Sequence, residues 1–597
     1  MPFKIGVSTG LYTIARAEEL ATSVRKIGFA LTRGASAIEI SGDVPHEITE
    51  TEGQEIRYIA DKQGLDILFH GSLTVPLDMP ERGEWRDAHD HMQKSIRSAV
   101  FCGSKYVNFH ICLNIWLELM TYAGRKLTMA FCDHEGNFIS KILKESAKLR
   151  EWFVQNRWDV YHNDVLSHDE KIRASTKAEI ELTTWRKEEL LKRLSKENVP
   201  RDIIDYILVH DVLPSLPPQL RGLEKKIKAV LESIRTEIGP KSAELQKKYI
   251  QAAMREKLEK GLPWDSEELR ATVGIVDGAL ILANYVFFSK DPIWTEMARL
   301  YSNVLAKYKL STEDINSLDE AWKAAERNND KKFKEFFYGV VGAKLVEGHT
   351  KKILKWINEE LIAKELKGKP ELQKIASQIA ITYESPDARD PGHAGLHMLW
   401  SPRQMYAAVK TIRKTVGTDR VWMLMDFEHV ATQGIDPIKD MEEVIKLAPD
   451  FGKYVLSVHS NAPNPLHAHE PLELGDIRIY QLLWFLRKTG FGKDRKVYLI
   501  FERGGAKDPF AQSVEVLKLA AQFLEKDIEP KNLPIEYFGM KGPTAGGFER
   551  QVQIIRDHAW EPLKDLLEMP EEEWTFLSQA AIKKGKRPEV WKRAEFR

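Results

Sequence analysis

The stretch RVWMLMDFEHVATQG, residues 420–434, decides how the chain is read. Its opening is a buried strand that stops on Asp426, with His429 three residues on and Gly434 closing the segment. Runs of the same build follow at KYVLSVH (453–459) and KVYLIFE (496–502), and one precedes it at QIAITYE (378–384). Near the start of the chain stand four more: KIGVS (4–8), AIEIS (37–41), LDILFH (65–70) and KYVNFH (105–110). Amphipathic helical pattern lies between them, the signature of βα repetition. SPRQ at 401 has Ser as N-cap, Pro at the first helical position and Gln three residues into the turn, a helix start.

The middle of the chain differs. Long Lys/Glu/Leu-rich segments such as STKAEIELTTWRKEELLKRLSKE and LEKKIKAVLESIRTEI, broken at LPSLPPQL and KGLPWD, read as helices without strands. Four strands before this block and four after it predict an α/β fold, a (β/α)8 TIM barrel interrupted after the fourth strand by a large helical insertion. The expected boundaries are 1–114 for the first half-barrel, 115–375 for the insertion with the fourth barrel helix, 376–540 for the second half-barrel, and 541–597 for a C-terminal helical extension.

Composition narrows the classes. At 597 residues the chain exceeds one ordinary domain. Three cysteines, Cys102, Cys112 and Cys132, form no metal spacing and no even set, which argues for a reducing compartment. Lys and Arg balance Asp and Glu at 88 each, so net charge offers no argument for nucleic acid. The longest apolar run, GALILANYVFF (278–288), is too short to span a bilayer, and no signal core opens the chain. A soluble cytoplasmic protein with no membrane partner is expected. The aromatics of the helical block, Trp152, Trp158, Trp185, Phe337 and Tyr338, are most simply its core.

Active sites of this fold sit at the C-terminal ends of the strands. There the runs carry His70, His110, Glu384, Asp426 with His429, His459 and Glu502, and HSNAPNPLHAHEPLELGDI adds His467 and His469. One His at a strand end is commonly a hydrogen-bonded polar residue; six successive strand ends of ligand type are a pattern. So many carboxylates and imidazoles at one mouth call for cations, and nine groups suit two or three divalent ions. His393 and His397 in DPGHAGLHMLW, and Arg503 beside Glu502, are the expected substrate contacts.

Over residues 1–112 and 376–540 this layout resembles the xylose-isomerase-like barrels and, among them, the endonuclease IV family of apurinic/apyrimidinic endonucleases. His70 in ILFHGS, His110 in VNFHI, Glu384, Asp426 and His429 in MDFEHVATQGID, His459 in SVHSN, HAHEPLELGDI and Glu502 match that family's ligand positions. The resemblance implies a metal-dependent phosphodiester hydrolase of DNA-repair type with two to three Zn2+, Mn2+ being the alternative, and DNA or another nucleic acid as partner. Glu384 would bridge two ions and serve catalysis with Glu502. The chain departs from the family at His467, where the family has Asp, and in GSLTV and SGDVPHEIT, which lack the aromatic and basic residues used on duplex DNA. A single-metal sugar isomerase or epimerase is the runner-up, with Glu384, Asp426, His459 and Glu502 as its ligands and the two Glu as acid and base. The third reading is a non-enzymatic scaffold whose helical block binds nucleic acid or protein.

Overall fold

A computed structural model of the chain describes residues 2–8, 23–41, 47–73, 75–112, 131–261, 275–388, 394–395, 397–464, 470–502 and 509–539. The expected extension 541–597 lies outside them.

Eight strands close into one parallel barrel: β1 Phe3–Ser8, β2 Ala37–Ser41, β3 Asp66–His70, β4 Tyr106–His110, β5 Ala380–Glu384, β6 Val421–Asp426, β7 Val455–His459 and β8 Val497–Phe501. Each pairs with the next in chain order, and β8 closes on β1. All eight predicted strands are present. The eighth ends one residue earlier than the sequence pattern suggests, so Glu502 stands just past its end, where its backbone N–H donates to the Asn461 side chain at 3.2 Å.

Successive side chains on a strand point to opposite faces, so parity sorts the barrel's contents. The lower interior is an apolar plug of Ala37, Leu68, Tyr106, Ala380, Trp422, Leu424, Leu456, Tyr498 and Ile500. Two residues beyond Ala37, Tyr106 and Ala380 come Glu39, Asn108 and Thr382, buried and polar. Two further bring the strand-final His110 and Glu384. One strand breaks the rhythm. Met423 faces Val455, but Leu424 faces Ser457, so β7 carries an extra residue. Leu456 is that residue and joins the apolar plug, while Ser457 and His459 turn inward. Without the slip, counting by twos from Leu456 would aim Val458 at the mouth and His459 at the helices.

The helix Pro402–Val416 begins with the predicted capping box: Ser401 Oγ accepts from the Gln404 N–H, and Gln404 Oε1 accepts from the Ser401 N–H at 2.9 Å. The helix Lys331–Trp356 packs on Arg82–Cys102 and Pro402–Val416, the neighbours a helix between β4 and β5 must have. Its Thr350 hydroxyl lies 2.7 Å from the Tyr383 hydroxyl of β5.

The chain divides into two compact units. Met1–Thr128, Cys132–Asn137 and Ile275–Arg597 form the barrel's unit; Met129–Phe131 with Phe138–Gly274 form the other. The helices between Ile275 and Gln378 thus belong with the barrel. The second unit is helical, with Ala147–Val165, His168–Lys196, Arg201–His210 and Glu224–Lys260 as its longest members. Its core of Leu190, Leu194, Val199, Ile203, Ile204, Ile207, Ile227 and Ile234 is aliphatic. Trp152 there is fully buried, as is Phe337 in the barrel's unit. Cys102, Cys112 and Cys132 are buried thiols. Among the described residues, no helix is long and apolar enough to cross a membrane.

Candidate metal centre

At the C-terminal mouth the strand ends bring two three-residue ligand groups together: His70, His110 and Glu384, and Glu384, Asp426 and His459. All are buried, and Glu384 belongs to both.

In the first group the Nε2 atoms of His70 and His110 are 3.0 Å apart, and Glu384 Oε2 lies 3.8 and 3.2 Å from them. A tetrahedral ion with bonds of about 2.0–2.1 Å has ligand atoms roughly 3.3 Å apart, and these separations bracket it. His70 Nδ1 is committed to the Gly71 carbonyl at 3.0 Å, leaving the Nε2 lone pair for the mouth. Gly71 is required there, because a Cβ would come within 2.5 Å of the Phe109 ring and 2.7 Å of the Asn108 carbonyl oxygen. Asn108 orients Glu384: its Oδ1 accepts from Thr382 at 2.9 Å, which fixes its amide so that Nδ2 donates to Glu384 Oε2 at 2.5 Å.

In the second group His459 Nδ1 faces Glu384 Oε1 at 2.9 Å, Glu502 Oε2 at 3.4 Å and Asp426 Oδ2 at 4.0 Å. Glu502 is thereby a neighbour of this group, with its side chain 15% accessible. Asp426 divides its two oxygens. Oδ1 caps the helix Phe427–Thr432, accepting from the N–H of Glu428 at 2.7 Å and of His429 at 3.2 Å. Oδ2 is buried and, among the described residues, has no hydrogen-bond partner. A buried carboxylate oxygen so placed among possible ligand atoms fits a cation site.

His429 rides on that short helix, because Asp426 is an N-cap and starts a turn. The i, i+3 spacing then returns its Nε2 to within 3.7 Å of Asp426 Oδ2, while Nδ1 contacts the Ser385 carbonyl oxygen at 2.9 Å. It stands beside both ligand groups and is a member of neither.

The electrostatics ask for positive charge. Among the described residues, the ion-pair partners of Glu384 and Asp426 are all histidines. Burial pushes Glu384 up, but His459 and His110 outweigh it and hold the carboxyl well below its usual range. Burial drives Asp426 up to about 6. Burial works against charge on His459 and His429 too, yet Glu384 and Glu39 raise His459 well above its ordinary value, and Asp426 with Glu384 lifts His429 to about 9. Divalent cations would supply the positive charge that protons on these imidazoles would otherwise have to carry, so the residues fit a metal.

No family model, curated protein or solved structure matches the chain. The geometry therefore carries the functional argument.

His397 is buried in the segment after β5 and lies outside both ligand groups. His393, His467, His469 and Arg503 fall outside the described residues. Two contributors escape a reading confined to strand ends: Asn108 and, on β2, Glu39, whose Oε1 is 3.0 Å from His459 Nε2. Their signal was available, for each is a polar residue on the inward parity of its strand, two positions before the polar residue that ends it, Ser41 or His110.

Proposed function

We propose that the barrel mouth is a two-ion metal site and that the protein is a metal-dependent hydrolase of phosphodiesters, of the endonuclease IV type. One observation carries this reading: Glu384 turns Oε2 toward His70 and His110 and Oε1 toward His459, so a single carboxylate serves two ligand groups. One ion would be held by His70, His110 and Glu384, the other by Glu384, Asp426, His459 and Glu502. The imidazole content favours zinc over the harder cations. Bound there, divalent ions supply Lewis acidity, stabilising charge on a phosphoryl oxygen and making water nucleophilic near neutral pH.

The chain's own groups prepare that chemistry. Glu384 ties the two halves at a fixed separation, and Asn108 holds its carboxylate plane. His70 is kept in the tautomer that offers Nε2, through Gly71. Glu502, the most accessible of the set, is the group through which solvent and a substrate oxygen reach the centre, and the one placed to accept a proton there. A single-ion isomerase would employ Glu384, Asp426, His459 and Glu502 and leave the converging rings of His70 and His110 without a task.

Elemental analysis of zinc-reloaded protein tests this directly. We expect ~2 ions per chain, and hydrolysis of bis(p-nitrophenyl) phosphate that a chelator abolishes and zinc restores. One ion per chain, without phosphodiester turnover, would overturn the hydrolase and leave the isomerase. Duplex DNA carrying an abasic site is the polymer substrate to compare with the small diester.

A further inference from the structure

We infer that Glu39 is a positioning residue that decides which nitrogen of His459 faces the metal centre. This rests on the two-ion reading above and adds to it a residue from β2, a strand that supplies no ligand. Glu39 is fully buried in the middle of that strand. Its Oε1 lies 3.0 Å from His459 Nε2, and its Oε2 accepts from the Tyr106 hydroxyl at 2.6 Å. That hydroxyl is in turn 3.2 Å from Ser457 Oγ.

The chemistry follows from the donor inventory. An ionised carboxylate only accepts, and a neutral imidazole has one N–H and one lone pair. With Glu39 behind the ring, the N–H belongs on Nε2 and the lone pair on Nδ1. Nδ1 is the atom that faces Glu384, Asp426 and Glu502. Glu384 Oε1, only 2.9 Å away, exerts the opposite pull, because it would accept a hydrogen from Nδ1 and so occupy the lone pair a metal needs. Glu39 answers that competition from the far side of the ring. Carboxylate–histidine–metal relays of this kind orient the ring and raise its basicity, and losing the outer carboxylate weakens metal binding by about 10–100-fold.

The asymmetry makes the inference specific. Glu39 hydrogen-bonds His459 and acts on His70 through charge, so its loss should fall chiefly on the ion that uses His459. Zinc titration against a chromophoric chelator, followed by cobalt substitution, reads this out. In the Glu39→Ala variant we expect the ion that uses His459 to be weakened by about 10–100-fold and the His70–His110 ion by clearly less. In cobalt-loaded wild type, the His459 ring N–H should appear as a slowly exchanging, hyperfine-shifted proton that Glu39→Ala loses. Its absence from the wild-type spectrum would overturn the inference without recourse to any variant. Tyr106→Phe removes the neighbouring hydroxyl and keeps Glu39; we expect affinity within a few-fold of wild type and the proton retained. If Tyr106→Phe reproduces Glu39→Ala, the effect comes from packing in the barrel interior and the inference fails. Two ions bound unchanged by a folded Glu39→Ala protein would also sink it while leaving the two-ion reading intact. Fewer than two ions in wild type would remove that reading itself.

Discussion

Replacing Glu384 with Gln exchanges one carboxylate oxygen for an NH2 group, and the surroundings dictate which. Asn108 Nδ2 donates to the Oε2 position at 2.5 Å, and Asn108 cannot turn over without losing its bond from Thr382. The amide oxygen must therefore occupy the Oε2 position. The NH2 then takes the Oε1 position, 2.9 Å from His459 Nδ1. An amide nitrogen is no ligand, so on the proposed two-ion reading the ion that Asp426, His459 and Glu502 would hold loses one donor and half of a shared charge. A loss of at least about 100-fold in affinity is expected there, some 2.7 kcal/mol. The His70–His110 ion keeps an oxygen and forfeits only charge, a loss of about tenfold, or roughly 1.4 kcal/mol. Stepwise zinc titration with a competing chelator resolves the two, and phosphodiester turnover should vanish because the weaker site empties first. Equal losses, or a greater loss at the His70–His110 ion, would falsify the assignment of Glu384's two oxygens.

Three further outcomes follow from particular contacts. Gly71→Ala forces a methyl against Phe109 and the Asn108 carbonyl, so we expect about 1–3 kcal/mol of lost stability and weaker binding at the ion that uses His70, measured by urea unfolding and zinc titration. Ser401→Ala removes the cap of the helix Pro402–Val416 and should cost about 1 kcal/mol in the same unfolding assay, with ion stoichiometry unchanged. His89 is packed beside Trp85, and burial depresses it to about 4 from 6.5, so the folded state resists its protonation. Its contribution is intact above pH 6.5 and is lost as pH falls toward 4, by about 3 kcal/mol in all. His89→Gln should flatten the decline in stability between pH 7 and 5, and an unchanged slope would show that another group sets it.

Much of this protein was legible from the chain alone. Buried parallel strands announce themselves as apolar runs, and because side chains alternate, a ligand at the end of one run shares the inward face with every second residue before it. That is why His70, His110, Glu384, Asp426 and His459 were found as strand-final residues, and why the barrel's order was readable. What the chain could not disclose depends on distances between strands. Glu39 meets His459 across 420 residues of sequence, and only closure of the barrel makes them neighbours. The extra residue at Leu456 turns His459 inward, yet KYVLSVH looks the same with or without it, since a bulge is a relation between two strands. The division of Glu384's oxygens between two ligand groups is likewise a matter of orientation, imposed by an Asn and a Thr on adjacent strands. Local periodicity decides which face a side chain occupies; hydrogen bonds from other strands decide which atom it presents.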